Sequence, residues 1–212
     1  MNSEKVYDLI KKEKVIVIVR GVDKQQILNI AKAVLAGGVR LMEVTCNTKG
    51  AAEMIELLSK EMSSEMVIGA GTVINKDLCK MVLDAGAKYI VAPDTNPEVI
   101  KHCVKKDIAV LPGAATATEV LTAVRYGAKM VKIFPAAQLG PDYIKMLRGP
   151  IDNVGFVAVG GIRLNNIDDF FQAGCIGIGI GGSVINKELV EKGHWDQAAE
   201  IIKKYKEAVC RY

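Results

Sequence analysis

The sequence has few of the residues that hold metal ions, disulfides or nucleic acids. Its two histidines, His102 and His194, lie far apart and lack the H-x-H or H-E-x-x-H spacing of a metal site. Aromatic residues make up only 5% of the chain, too few for a nucleic-acid surface. The five cysteines form no C-x-x-C pair, and their odd number favours free thiols in a reducing compartment. We therefore expect a cytoplasmic protein that uses no metal ion and no cofactor.

Long apolar segments, charged blocks and linkers are also absent. The N-terminus is polar, and the apolar run from Val15 to Val19 is too short to span a bilayer. The 28 basic and 24 acidic residues are spread along the chain, so the net charge of +4 forms no basic strip. No Pro/Ser-rich stretch divides the sequence. These absences predict one domain over residues 1–212, with neither a membrane nor nucleic acid as a partner.

Short apolar strands alternate with amphipathic helices along the chain. A helix at Ser3 to Glu13 precedes eight apolar runs, and each run is followed by a helical pattern. Asn75, Asn96 and Asn165 are placed to cap helices at their N-termini. The predicted strands are Val15 to Arg20, Leu41 to Cys46, Val67 to Thr72, Lys88 to Ala92, Ala109 to Leu111, Met130 to Phe134, Gly155 to Val159 and Ile176 to Ile180.

Eight strand-and-helix units predict a closed barrel. Apolar strands joined by helical crossovers form a parallel sheet that is covered on its faces. Eight of them match the (β/α)8 TIM barrel of the α/β class, here with an extra N-terminal helix. An open doubly wound sheet is the alternative, but no G-x-G-x-x-G sequence opens a helix after the first strand.

One lysine interrupts an otherwise apolar strand. Lys132 lies in the run Val-Lys-Ile-Phe-Pro, at or near the end of the sixth predicted strand. Burial of an ammonium group lowers its pKa from about 10.4 towards about 7 to 8, which leaves an amine able to attack a carbonyl. Such an amine can form a Schiff base. The alternative is a strand-end lysine that extends its charge into water.

Other polar side chains also fall at strand ends, where barrels of this type carry their sites. Arg20 ends the first strand and offers a fixed cation to an anionic substrate. Glu43 and Thr45 share one face of the second strand. A carboxylate in a core strand is costly unless it is used or paired. Glu43 is therefore either a general acid/base or the ion-pair partner of Arg20 or Lys132.

Glycines follow the last two predicted strands. The sequence reads Gly160-Gly161 after the seventh strand and Gly181-Gly182-Ser183 after the eighth. In barrels the loops after these two strands commonly bind phosphate through backbone N–H groups, and glycine lets the anion approach closely. Either pair alone could form a tight turn, whereas both together favour a phosphate site.

The ordered set of motifs resembles the class I aldolases that cleave 2-keto-3-deoxy-6-phosphogluconate (KDPG) and 4-hydroxy-2-oxoglutarate (KHG). No single motif carries the resemblance, which runs from the first strand to Ser183. It implies the barrel fold and a homotrimer. The motifs are Glu43-Val44-Thr45, Gly69-Ala70-Gly71-Thr72-Val73, Pro93, Pro112-Gly113 with Thr118-Glu119, Lys132-Ile133-Phe134-Pro135-Ala136, Gly160-Gly161-Ile162 and Gly181-Gly182-Ser183.

The resemblance implies a role for each matched residue. Lys132 would form the Schiff base with the keto group, and Glu43 would be the general acid/base. Phe134 would pack beside the imine. The residues implied in substrate binding are Arg20, Thr45, Asn47, Thr72, Pro93 and Phe134, and those implied in phosphate binding are Gly160, Gly161, Gly182 and Ser183.

Four positions depart from the pattern of the family. Asn47 stands where many relatives have an arginine that helps to bind the acidic group of the substrate. Val159 stands where a threonine is common, so it has no hydroxyl that could read a sugar stereocentre. Ala92 and Ala117 replace a serine and a proline. The preferred hydroxy-keto acid therefore stays open between KDPG, its galactose-derived epimer and KHG.

The reaction that the resemblance implies is a metal-independent retro-aldol cleavage. The imine at Lys132 accepts electrons while the C3–C4 bond breaks, and pyruvate and an aldehyde are released. The aldehyde would be glyceraldehyde 3-phosphate from KDPG, as in the Entner-Doudoroff pathway, or glyoxylate from KHG. Two alternatives stay open: a phosphate-binding barrel epimerase or isomerase that needs no imine, and a non-catalytic sensor of a phosphorylated ligand.

Overall fold

Parallel strands form the centre of the structure, and helices surround them. The computed structural model describes all 212 residues. A short 3-10 helix lies at Lys24–Gln26. The strands are β1 (Val15–Val19), β2 (Leu41–Thr45), β3 (Val67–Gly71), β4 (Tyr89–Val91), β5 (Ala109–Leu111), β6 (Gly113–Ala114), β7 (Met130–Ile133), β8 (Gly155–Val159) and β9 (Cys175–Ile180).

Eleven α-helices follow or flank these strands. No helix combines the length and the apolar character needed to cross a bilayer. The helices are α1 (Ser3–Glu13), α2 (Ile27–Ala36), α3 (Ala51–Glu61), α4 (Lys76–Asp84), α5 (Pro97–Lys105), α6 (Ala117–Arg125), α7 (Ala136–Leu139), α8 (Pro141–Arg148), α9 (Ile167–Gln172), α10 (Lys187–Glu191) and α11 (Trp195–Val209).

The nine strand segments form the eight strands of a barrel. They run in the order β5-β4-β3-β2-β1-β9-β8-β7-β6, and all neighbours are parallel. Only Pro112 separates β5 from β6, so these two segments are one strand that closes the ring. Proline cannot donate to the ladder, but the carbonyl of Pro112 accepts a hydrogen bond from the Lys132 N–H at 2.9 Å. The predicted (β/α)8 fold is confirmed, and the open sheet is wrong.

The predicted elements match the observed ones closely, with a few misses. Each predicted strand agrees with its observed bounds to within one residue at either end. The side chains of Asn75 and Asn96 cap α4 and α5 as predicted. The prediction for Asn165 is wrong, because α9 begins after Asn166, whose side chain bonds to a loop N–H instead. The short helices α7 and α10 were not predicted, and the first turn of the helix predicted over Asp23 to Ala36 is the 3-10 helix.

Two apolar layers hold the barrel together. Outward-facing strand residues such as Val17 and Ile90 pack against the helices in the larger core. Inward-facing residues such as Leu41 form a smaller core inside the barrel, and α1 joins it through Val6, Tyr7 and Ile10. The predicted N-terminal helix therefore closes the N-terminal end of the barrel.

Candidate active site

Lys132 lies inside the barrel near the C-terminal end of β7. The residue is only 5% exposed, and its Nζ lies 4.8 Å from the centroid of the Phe134 ring. Burial lowers the pKa of Lys132; the nearby Glu43 charge opposes this shift and the Arg20 charge adds to it. The direction agrees with the sequence prediction. At a pH near neutrality, a larger fraction of the Lys132 amine is therefore uncharged than for an ordinary lysine.

Glu43 faces the same interior from β2. It is 2% exposed, and it takes part in none of the ion pairs of the molecule. Burial raises the pKa of Glu43 to about 7, although the charges of Lys132 and Arg20 oppose the rise. A carboxyl group with a pKa near neutrality can accept and release a proton at the pH of the cell.

Two glycines of β3 make room for side chains from the neighbouring strands. A Cβ built at Gly71 would overlap Glu43 Oε1 and lie 2.9 Å from the Cδ of Glu43. A Cβ built at Gly69 would overlap the ring of Tyr89, which enters from β4. In the ladder between β2 and β3, Glu43 is paired with Gly69. The carboxylate of Glu43 thus occupies space that only glycine leaves free.

The ends of β1 and β3 meet at the C-terminal mouth of the barrel. Arg20 Nη2 donates a hydrogen bond to Thr72 Oγ1 at 3.4 Å. Thr72 has a φ of 57°, which is strained for a β-branched residue and is a feature of ligand sites. The structure brings these two predicted substrate-binding residues together.

A cavity of about 1020 Å³ opens at this mouth. The wall contains three basic residues, Arg20, Lys132 and Arg163, and no acidic residue. This charge distribution favours an anionic ligand. The predicted site residues in the wall are Arg20, Lys132, Phe134, Gly160, Gly161, Gly182 and Ser183.

The other predicted site residues lie outside the wall of the cavity. Thr45 is fully buried, with its Oγ1 3.1 Å from Thr48 Oγ1. Pro93 is half-buried, and Asn47 is exposed in the loop after β2. The predicted residues that do not line the cavity are Glu43, Thr45, Asn47, Thr72 and Pro93. Their contact with a substrate stays a prediction.

The loops after β8 and β9 offer backbone N–H groups to the cavity. Gly160 and Gly161 have φ values of 96° and 75°, which other residues rarely adopt. A Cβ at Gly161 would also lie 2.5 Å from the Cβ of Ala137. The N–H groups of Gly161, Gly182 and Ser183 donate to no backbone carbonyl. Such groups can bind an anion.

Two residues at this mouth were not predicted from the sequence. Arg163 lines the cavity, is exposed and forms no ion pair. Asn166 fixes the loop that carries it, because its Oδ1 accepts from the Arg163 N–H at 2.8 Å and its Nδ2 donates to the Gly161 carbonyl at 3.1 Å. A cation two residues after a glycine pair was the available signal for Arg163. No sequence signal identified the role of Asn166.

Comparisons with known proteins identify the family. Residues 6–201 match the model of the aldolase family described as KDPG and KHG aldolase. The chain is 34% identical to the 2-dehydro-3-deoxy-6-phosphogalactonate aldolase of Escherichia coli (strain K12), over 92% of this chain and 95% of that protein. It is 36% identical to the 2-dehydro-3-deoxy-phosphogluconate aldolase of Treponema pallidum (strain Nichols), over 78% of this chain and 79% of that protein.

A solved structure agrees with this assignment. The fold is similar to that of the KDPG aldolase from Legionella pneumophila, crystallised with pyruvate captured at low pH as a covalent carbinolamine intermediate. The TM-score is 0.86 at 28% sequence identity, and the match covers 92% of this chain and 95% of that chain. The chain therefore belongs to the KDPG and KHG aldolase family.

Proposed function

We propose that the protein is a class I aldolase, a lyase that splits a 4-hydroxy-2-keto acid into pyruvate and an aldehyde, with Lys132 as the residue that forms the Schiff base. The observation that carries the proposal is a buried lysine whose pKa is lowered, in the wall of a cavity that opens to solvent. A buried amine is unfavourable for folding, but it is what imine formation needs.

The proposed reaction begins with attack of the Lys132 amine on the C2 keto carbon. Loss of water gives a protonated imine, which is a sink for an electron pair. A base removes the proton of the C4 hydroxyl, the electrons of the C3–C4 bond move into the imine, and the aldehyde leaves. The remaining enamine takes a proton at C3, and water then releases pyruvate and restores the amine.

Glu43 is the group that we assign to these proton transfers. Its pKa of about 7 lets it exchange protons in both directions near neutral pH. The space above Gly71 keeps its carboxylate inside the barrel, where the charge of Lys132 acts on it. Because no ion pair fixes Glu43 to Lys132, a water molecule can carry the proton between them.

We assign the phosphorylated hydroxy-keto acids, KDPG or its galactose-derived epimer, as the preferred substrates ahead of KHG. At one side of the mouth Arg20 and Thr72 can hold the substrate carboxylate. At the other side the loops after β8 and β9 supply free N–H groups, and Arg163 adds a cation there. Val159 in the cavity wall gives no hydroxyl contact that could select between the two epimers.

The test of the proposed chemistry is covalent trapping. The protein is incubated with pyruvate, reduced with borohydride and digested, and the peptides are weighed by mass spectrometry. We expect an adduct on Lys132 and on no other lysine, and none in Lys132→Met. An unlabelled Lys132 would point to an epimerase or isomerase, and ligand-induced stabilisation without product would point to a sensor.

The test of the phosphate assignment is a charge deletion at the mouth. We expect Arg163→Gln to lower kcat/KM for KDPG by about ten-fold, because one charge-assisted contact is lost. The value for KHG, which has no phosphate, should change much less. Arg125→Gln, which removes an exposed cation at the end of α6, is the matched control. An equal loss for both substrates would contradict the assignment.

The resemblance also supports a cytoplasmic homotrimer, which we propose for this chain. All five cysteines are free in the structure, as in proteins of a reducing compartment. Light scattering of the purified protein tests the trimer: a mass of one or two chains per particle would exclude it.

A further inference from the structure

Tyr89 carries a hydroxyl group that the fold does not explain. The residue begins β4, is 0% exposed and packs in the core inside the barrel. Its Oη forms no hydrogen bond with any other atom of the protein. Tyr7, the other tyrosine of this core, accepts a hydrogen bond from the Val110 N–H at 2.9 Å. Burial of a hydroxyl without a partner is unfavourable, so the Tyr89 hydroxyl calls for a partner.

The two glycines of β3 place this hydroxyl near Glu43. The Cζ of Tyr89, which bears the hydroxyl, lies directly over Gly69, and Glu43 Oε1 lies directly over Gly71. A strand advances about 3.3 Å per residue, so these two positions are about 7 Å apart along β3. Two oxygens that share one water molecule are about 5.5 Å apart. The Tyr89 ring enters from β4 with its Cζ end over Gly69, so its hydroxyl extends beyond Cζ towards β2, the strand that carries Glu43. This extension shortens the separation towards one that a single water molecule can bridge.

We propose that Tyr89 is a positioning residue for Glu43, joined to its carboxylate through one buried water molecule between the Tyr89 hydroxyl and the carboxylate. The site is polar on two sides and closed to bulk solvent, which is where buried waters are held. Burial and the Glu43 charge raise the pKa of Tyr89 well above its ordinary value. Tyr89 therefore keeps its proton and acts as the hydrogen-bond donor. The inference rests on the role of Glu43 in the proposed function.

The direction of the effect follows from the charges that face Glu43. Lys132 from β7 and Arg20 from β1 lower the pKa of Glu43, while burial raises it. Cys46, which follows β2, is a thiol whose own pKa is raised to about 11, so it is neutral near pH 7. A hydrogen bond donated through water stabilises the ionised carboxylate. Removal of the Tyr89 hydroxyl should therefore raise the pKa of Glu43.

The test titrates Glu43 directly, without relying on activity. Protein labelled with carbon-13 at the glutamate carboxyl groups is followed by NMR against pH, and Glu43→Gln assigns the signal. We expect Tyr89→Phe to raise the midpoint of the Glu43 titration by about half a unit or more, which equals about a three-fold change in the ionised fraction at pH 6. Tyr7→Phe removes a buried hydroxyl from the same core and should leave the midpoint unchanged.

The outcomes separate this inference from the proposed function. An unchanged midpoint in Tyr89→Phe overturns the role of Tyr89 even if pyruvate is trapped on Lys132. A raised midpoint in a protein that traps no pyruvate supports the link between Tyr89 and Glu43 but contradicts the proposed aldolase function. Equal shifts in Tyr89→Phe and Tyr7→Phe would mean a general loosening of the core, and would also overturn the inference.

Discussion

The two ends of the barrel interior are built from opposite kinds of side chain. At the N-terminal end, Val6 and Ile10 of α1 pack on apolar residues of the strands and exclude solvent. At the C-terminal end, Arg20 and Arg163 are exposed around an open cavity. Lys132 lies between them, still 5% exposed. The same eight strands therefore contribute to stability at one end and to chemistry at the other.

The difference shows where a barrel can carry unfavourable groups. A buried amine and a buried carboxyl, Lys132 and Glu43, share the barrel interior with the apolar cluster at its N-terminal end. Burial of that apolar cluster stabilises the fold and offsets the free-energy cost of the two polar groups. The strained φ of 57° at Thr72 lies at the same end. Mutations at the two ends should therefore separate catalysis from stability.

Lys132→Met should give the largest effect, and it should abolish the activity at the C-terminal end without lowering stability. We expect turnover to fall by about 10⁴-fold or more, because no other amine can form the imine. The melting temperature should stay the same or rise, since an apolar side chain of similar length replaces a buried amine. Calorimetry and a pyruvate-release assay measure the two effects. Lys88→Met, at an exposed position, is the control, and a strongly lowered melting temperature in Lys132→Met would contradict the comparison.

Ile10→Ala, at the N-terminal end of the barrel, should lower stability without lowering activity. The side chain is fully buried between α1 and the strands, so its truncation should cost about 2 to 5 kcal/mol of the free energy of unfolding. The turnover per folded molecule should be retained. Denaturant unfolding gives the free energy of unfolding. The rate of pyruvate release, divided by the number of sites titrated with pyruvate and borohydride, gives the turnover per folded molecule. Lys12→Ala on the exposed face of α1 should change neither.

The pH dependence of stability should reveal the raised pKa of the buried Glu43 carboxyl group. The pKa of Glu43 is raised from 4.5 to about 7 in the folded protein, so the folded state keeps this proton over a range in which the unfolded chain loses it. Stability should therefore fall as pH rises from about 4.5 to about 7, by about 3 kcal/mol at most. Denaturant unfolding of Glu43→Gln should lack this fall. Glu53→Gln, on the exposed face of α3, should keep it.

Gly71→Ala tests the space that holds Glu43. The added methyl group would overlap the carboxylate, so Glu43 must move and turnover should fall by about 100-fold. The trapped adduct on Lys132 should still form, although more slowly. Gly149→Ala adds a methyl group that lies 3.4 Å from the Met146 carbonyl oxygen, in ordinary contact, and is the control. Unchanged turnover in Gly71→Ala would show that the carboxylate has another position available.

The strands and the central lysine could be predicted because they depend on local sequence. Runs of β-branched residues such as Val15 to Val19 indicate buried strands wherever they occur, and a lysine within such a run is conspicuous. The same local signal failed at Pro112, where one barrel strand divides into β5 and β6. The division depends on both neighbours of that strand, which are far away in sequence. A single domain over residues 1–212 stays a prediction.

The contacts within the site could not be predicted because they depend on the register between strands. Glu43 and Tyr89 come from strands on either side of β3, and only the pairing of β2 with β3 and of β3 with β4 brings them over the same glycines. Asn166 rather than Asn165 shapes the loop at the mouth, because its side chain bonds to the Arg163 N–H and to the Gly161 carbonyl. These distinctions arise only in the folded chain.

Helix α1 closes the N-terminal end of the barrel, so substrate and products must enter and leave through the C-terminal mouth, where the cavity opens. In the proposed reaction the pyruvate fragment is bound to Lys132 inside the barrel, and the aldehyde fragment lies nearer the C-terminal mouth. The aldehyde must therefore depart before pyruvate can, and in the direction of synthesis pyruvate must arrive first. Product-inhibition kinetics should reveal this order of release: pyruvate should compete with the keto acid, and the aldehyde should not.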